Sequence, residues 1–186
     1  MKKLFQVNTK TIVATAIGAA IFTLLFSYVK IPSPVPNTSF QTAYGVAAFF
    51  ATLFGPIAGA LIAFIGHALN DAIQYGSVWW SWVIASGIAG FGFGLAYKFS
   101  RVEEGEFSTK DIIRFNVIQL IVNLIAWIVV APVLDIVLYK ESASLVFSQG
   151  ILAAIMNAVS TGVIGTLLLV AYSKTRTKQG SLSKKG

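Results

Sequence analysis

Apolar residues fill six long stretches of this chain, at about 11–29, 41–54, 57–74, 79–98, 112–138 and 146–172. The runs are continuously apolar rather than alternating, so they predict helices and argue against a β-barrel. Most are long enough to cross a bilayer whose hydrocarbon core is about 30 Å thick. The second is short: 14 residues at 1.5 Å each rise only about 21 Å. Gly55-Pro56 follows it, which predicts a tight turn and a short helical hairpin made of the second and third segments.

Charge distribution orients these segments. Of the 14 basic residues, Lys2, Lys3, Lys10, Lys98, Arg101, Lys110, Arg114, Lys174, Arg176, Lys178, Lys184 and Lys185 fall on one side if the chain crosses six times, and only Lys30 and Lys140 on the other. The positive-inside rule then predicts cytoplasmic N- and C-termini. The expected fold is an all-α integral membrane protein, a compact bundle of six transmembrane helices forming one domain over residues 1–186. The first apolar run ends at Lys30-Ile-Pro without a small-residue cleavage pattern, so it is expected to be a retained span. The net charge of +7 is accounted for by topology rather than by nucleic-acid binding.

Topology gives each polar residue a depth. His67, Asn70 and Asp71 are spaced i, i+3, i+4 and share one helix face near the outer end of the third segment. Trp79, Trp80 and Trp82 open the fourth from outside. Gln119, Asn123 and Trp127 share a face of the fifth, with Pro132 and Asp135 near its external end, and Gln149 and Asn157 lie along the sixth. These groups converge on the outer half, while the inner halves are apolar apart from Asn116, Gln119 and small residues. A channel needs polar lining throughout; this pattern predicts a pocket open to the exterior and closed below. Each group has an ordinary structural reading beside that one. His67 with Asp71 suits an inter-helix pair, the tryptophans an interfacial belt, and Asn123, Gln149 and Asn157 hydrogen-bonded glue between helices.

Between the first two segments, Lys30-Ile-Pro-Ser-Pro-Val-Pro-Asn37-Thr38-Ser-Phe-Gln41 has prolines at alternate positions, which predicts a stiff extended connection. It is either a plain connector or a lid whose Asn37, Thr38 and Gln41 supply hydrogen bonds. Small residues recur four apart at Ala14/Gly18, Ala16/Ala20, Gly55/Gly59, Gly90/Gly94 and Ala154/Ala158/Gly162, a pattern that permits close helix contact. No phosphate loop, zinc-protease motif or nucleophile elbow is present, and there is no cysteine. The expectation is a non-catalytic protein with no metal and no cofactor, drawing any energy from an ion gradient or a separate subunit.

Four runs in combination carry a resemblance: Ile31-Pro-Ser-Pro-Val-Pro-Asn37-Thr38; Leu53-Phe-Gly55-Pro56 with Gly59; Gly66-His67-Ala-Leu-Asn70-Asp71-Ala; and Trp79-Trp80-Ser-Trp82-Val-Ile-Ala-Ser-Gly87. Together they resemble the S components of energy-coupling factor (ECF) vitamin transporters, in particular the riboflavin-transporter-S-like group. The resemblance implies high-affinity capture of a small vitamin or precursor from outside. It also implies docking on a transmembrane T subunit carried by two cytosolic ATPases, and toppling in the membrane to release substrate inward. The family's Ala-x-x-x-Ala docking face maps to Ala16 and Ala20, with Ala14 and Gly18 as a near variant, and its gate to Ile31–Gln41. The implied substrate is hydroxymethylpyrimidine- or pyridoxine-like, with riboflavin and cobalamin open. The alternative is a stand-alone proton-coupled transporter of a small aromatic solute using His67 and Asp71.

Overall fold

The computed structural model describes residues 4, 5 and 7–176. Lys2, Lys3, Lys178, Lys184 and Lys185, which enter the charge count above, lie outside the described residues. Among those described, six helices run in chain order: α1 (Thr9–Tyr28), α2 (Ala43–Phe54), α3 (Pro56–Tyr75), α4 (Trp80–Lys98), α5 (Thr109–Tyr139) and α6 (Ala143–Thr175). All but α2 are long and apolar enough to cross a membrane. Local chemistry sets several ends. The Asn8 side chain accepts from the Thr11 amide at 3.0 Å, and Ser108 and Asp111 form a reciprocal capping box. Gly55 (φ 92°) and Pro56 make the predicted turn between α2 and α3, and Gly76 ends α3 in the left-handed conformation.

The core inverts the soluble pattern. Its apolar members are chiefly alanines, while Ile12, Leu24, Val129, Ile155, Leu167 and many other large aliphatics face outward. Lipid is as apolar as leucine, so burying large side chains between helices gains little; small residues instead allow close backbone approach. The α3–α4 contact shows this directly: a Cβ added at Gly59 would land on the Gly90 carbonyl, and one at Gly94 on Pro56.

One end of the bundle gathers the start of α1, the α4–α5 loop and the end of α6. Lys10 Nζ pairs with Glu103 Oε1 at 2.8 Å, and Arg176 Nε donates to the Glu103 carbonyl at 3.4 Å. At the other end, the proline-rich segment departs from the expected extended connection. It folds back as an antiparallel ribbon, β1 (Lys30–Pro32) with β2 (Ser39–Gln41), in register Lys30↔Gln41, Ile31↔Phe40 and Pro32↔Ser39. The reason is backbone accounting. Pairing satisfies amides and carbonyls of both arms, while Pro34 and Pro36 occupy the connecting turn, where no donor is needed. Asn37 takes the left-handed conformation there (φ 56°), and the Ser33 amide donates to the Thr38 carbonyl at 3.2 Å. As a result the second helix starts at Ala43 rather than at residue 41.

The small-residue face of α1 divides in two. Ala16 and Ala20 are exposed, whereas Ala14 and Gly18 are buried. A Cβ at Gly18 would strike the Ile62 side chain of α3 and approach Phe50 of α2. This corrects the expectation for Ala14 and Gly18: a helix turns 100° per residue, so residues two apart point in opposite directions, and these two serve packing within the chain.

Candidate functional site

A cavity of about 590 Å³ opens at the ribbon end, between the ribbon and the tips of α3, α4, α5 and α6. The α3 face supplies its first wall. His67 Nδ1 lies 2.6 Å from Ser86 Oγ, and its Nε2 lies 3.4 Å from Asp71 Oδ1. Ser86 also meets the Tyr44 hydroxyl at 2.8 Å and donates to the Trp82 carbonyl at 3.0 Å. A serine has one proton to give, so the bond to Trp82 leaves Ser86 to accept from both Tyr44 O–H and His67 Nδ1–H. Asn70 accepts from Ser27 of α1 at 2.9 Å and donates to Asp71 Oδ1 at 3.0 Å. The imidazole also packs 4.5 Å from the Phe26 ring.

Asp135 of α5 organises the second wall. Its carboxylate is 2% exposed and accepts three bonds: from Trp79 Nε1 at 2.5 Å, Ser81 Oγ at 2.6 Å and Trp82 Nε1 at 2.9 Å. Trp79 joins the two acids, because its backbone amide donates to Asp71 Oδ2 at 3.1 Å while its indole serves Asp135. The Trp79 ring stacks on Tyr139 with centroids 4.5 Å apart. Trp82 lies nearly parallel to Trp127 (6.0 Å, 16°), and Tyr44 meets Trp127 edge-on at 5.1 Å. With all three indole N–H groups committed to protein acceptors, these rings have π surface left to offer a ligand.

Beneath Trp127 runs a hydrogen-bonded ladder. Trp127 Nε1 donates to Asn123 Oδ1 and Asn123 Nδ2 to Gln119 Oε1, both at 2.9 Å. Gln119 Nε2 donates to Asn116 Oδ1 at 3.4 Å, and Asn116 Nδ2 to Thr166 Oγ1 of α6 at 3.0 Å. Between the ladder and Asp135, residues Ile125–Val130 form a π-helical turn. Eight residues of regular α-helix overshoot two turns by about 80°. The wider π turn absorbs that excess and brings Trp127 and Asp135 onto one face.

The third wall belongs to α6 and the ribbon. Gln149, Ala153 and Asn157, four residues apart, line the cavity, the alanine leaving room between two carboxamides. Gln149 Nε2 donates to the Pro36 carbonyl at 2.9 Å, and Ser160 Oγ to that of Gln41 at 2.5 Å, so the ribbon is tied over the mouth. Two buried amide oxygens, Gln41 Oε1 and Asn157 Oδ1, have no hydrogen-bond partner.

Of the residues singled out in sequence, Asn37, Thr38, Gln41, His67, Asn70, Asp71, Trp79, Trp82, Trp127, Gln149 and Asn157 all line this cavity. Asn123 does not. It sits one turn below, fully buried, and orients the Trp127 ring. Trp80 also lies away from the cavity, against Phe64, with its amide on the Tyr139 hydroxyl. The sequence reading placed Asp135 at the outer end without assigning it to the site, and left out Tyr44, Phe26 and Glu141; all four line the cavity. A carboxylate inside an apolar run was the available signal for Asp135; Tyr44 and Phe26 carried none. Among the described residues no group of three or more His, Asp or Glu is arranged to hold a metal.

A helical multi-pass membrane protein with one ribbon-covered, aromatic and polar cavity is built to hold a small solute rather than to conduct one. The comparisons agree. A family model described as the S component of an ECF-type riboflavin transporter matches residues 6–174, and the chain belongs to that family. It is therefore a substrate-binding S component of an ECF transporter, a transport subunit rather than an enzyme. A UPF0397 protein of Exiguobacterium sp. is 58% identical over 177 residues, covering 95% of this chain and 97% of the relative. Another, from Streptococcus gordonii, is 51% identical over 186 residues, covering 99% and 100%. Among solved structures, FolT crystallised with folic acid superposes with a TM-score of 0.61 over 94% of this chain and 98% of its own, at 13% identity, a likeness of fold.

Proposed function

We propose that this subunit captures a small vitamin or vitamin precursor with a flat nitrogen heteroaromatic ring, of the hydroxymethylpyrimidine or pyridoxine kind. Capture is from the exterior of a bacterial plasma membrane, and a transmembrane T subunit with two cytosolic ATPases drives delivery inward. The observation that carries this reading is the cavity itself. At about 590 Å³ it lies within the range of small-molecule sites, and it combines the Trp82–Trp127 π surface with convergent polar groups. Riboflavin and cobalamin are the alternative substrates for the same site.

Orientation supports exterior loading. The end that gathers Lys10, Glu103 and Arg176 lies opposite the cavity and carries the basic excess expected of the cytoplasmic side. The ladder below Trp127 contains only amide, hydroxyl and indole groups, none of which titrates like a pump relay, and this argues against proton coupling through the inner half. The exposed pair Ala16 and Ala20 is the face proposed to meet the T subunit.

Gentle purification followed by mass spectrometry of the retained small molecule tests the reading. A stoichiometric heteroaromatic compound, with T and ATPase subunits co-purifying from native membranes, is the expected outcome. ATPase-independent accumulation in vesicles under a pH gradient would sink it.

A further inference from the structure

Resting on that reading of the cavity as a capture site, we infer that it selects a substrate bearing a positive charge, one whose protonated or permanently cationic nitrogen sits beside Asp71 and Asp135. The balance of charge in the cavity is the starting point. Asp71 is 4% exposed and Asp135 is 2% exposed, and both line the cavity. Among the described residues neither has a lysine or arginine within ion-pair distance. The one ammonium lining the cavity is that of Lys30 on β1, and Glu141, which lines it too, adds a third carboxylate. His67 belongs to Asp71 and, even carrying its proton, offsets one of the two carboxylates.

A carboxylate withdrawn from water without a counter-charge is costly, and hydrogen bonds recover only part of the loss. Asp135 has three such bonds and no cation; its complement is missing from the chain itself. The neighbouring groups lean the same way. Trp79 spans both acids, so the two charges address one small region. The indoles around it present π faces, which attract cations. The charged lining of the cavity is predominantly negative, Asp71, Asp135 and Glu141 against Lys30. An anionic vitamin, carboxylated or phosphorylated, would meet like charge. A bare divalent cation is disfavoured because no three-ligand His/Asp/Glu group exists among the described residues.

The test uses the full-length subunit in detergent and reads tryptophan fluorescence. Three pyrimidines share one aminopyrimidine ring and differ in a single substituent: aminomethyl (cationic), hydroxymethyl (neutral) and carboxyl (anionic). The aminomethyl compound is expected to bind at least about tenfold more tightly than the hydroxymethyl one, with the carboxyl compound weakest. Asp71→Asn is expected to erase most of that preference while leaving stacking intact. Tighter binding of the neutral or anionic member overturns the inference and leaves capture standing. Saturable quenching by sodium or potassium chloride alone, with no preference among the rings, overturns it in favour of an inorganic cation. If none of the three binds, the inference falls as well, and mass spectrometry of the retained molecule reports separately on capture. Should Asp71→Asn fail to fold, the ranking of the three compounds on the unmodified protein still decides.

Discussion

Toward the Lys10 end of the bundle α3 and α4 meet backbone to backbone, whereas at the ribbon end side chains of α3, α4, α5 and α6 meet one another around a cavity. The first contact is made by absence: Gly59, Gly90 and Gly94 leave no room for a Cβ. The second is made by large polar and aromatic groups that satisfy one another around an open volume of about 590 Å³. Both solve the same problem, since neither end gains from squeezing out lipid. Close approach closes one end, and hydrogen-bonded side chains keep the other open without leaving their donors bare.

The largest way to break this contrast is to fill the closed end. Gly90→Leu puts a side chain against the Gly59 carbonyl, where backbone cannot yield, and should cost about 3 kcal/mol or more. A collapse of the monodisperse species and of the thermal midpoint in detergent checks it. At the open end, Asp135→Ala strips the acceptor from two indoles and a serine, and should cost about 2–3 kcal/mol. A shifted tryptophan emission and a lowered thermal midpoint are the readouts.

The next comparison lies within α1. Gly18→Leu should destabilise the subunit by about 1–3 kcal/mol through Ile62, while Ala20→Leu should leave both stability and ligand binding unchanged. Only the Ala20 change should reduce co-purification with the T subunit; intact assembly in an Ala16→Leu/Ala20→Leu double variant would move the docking face elsewhere. Trp127→Phe keeps a ring but drops the bond to Asn123, an expected loss of about 1 kcal/mol of stability. Smallest of all, Asn157→Leu removes a buried oxygen without a partner. It should stabilise the empty subunit by up to about 1 kcal/mol while weakening ligand binding, a divergence that calorimetry and a binding titration would expose.

Much of the site was legible because helical spacing fixes direction on a single helix. His67, Asn70 and Asp71 at i, i+3 and i+4 had to share a face, and they do. Spacing fails where one helix must be read against another. Asn123 and Trp127 share a face of α5, yet only Trp127 reaches the cavity, because Asn123 lies a turn deeper. Asp135 was placed at the outer end of the fifth segment without being assigned to the site; straight-helix arithmetic swings it away from Trp127. The π turn at Ile125–Val130 restores it, and nothing in the apolar run Ile125–Val130 announces that turn. The ribbon was misread as an extended connector because alternate prolines do suit one; the pairing depends on β1 and β2 finding each other across the turn.

The amino-acid order by itself determined the membrane class, the helical segments, the sidedness expected from the basic residues and the face that α3 offers. These follow from hydropathy, charge and a helical period, all local properties of the chain. Tertiary structure decided which faces meet and what fills the space between them. It turned Ala14 and Gly18 inward and Ala16 and Ala20 outward, and it set Asp135 under two indoles. It also left the oxygens of Gln41 and Asn157 without partners. Those outcomes depend on distances between residues far apart in the chain, set by which backbones can approach and which side chains hold them apart.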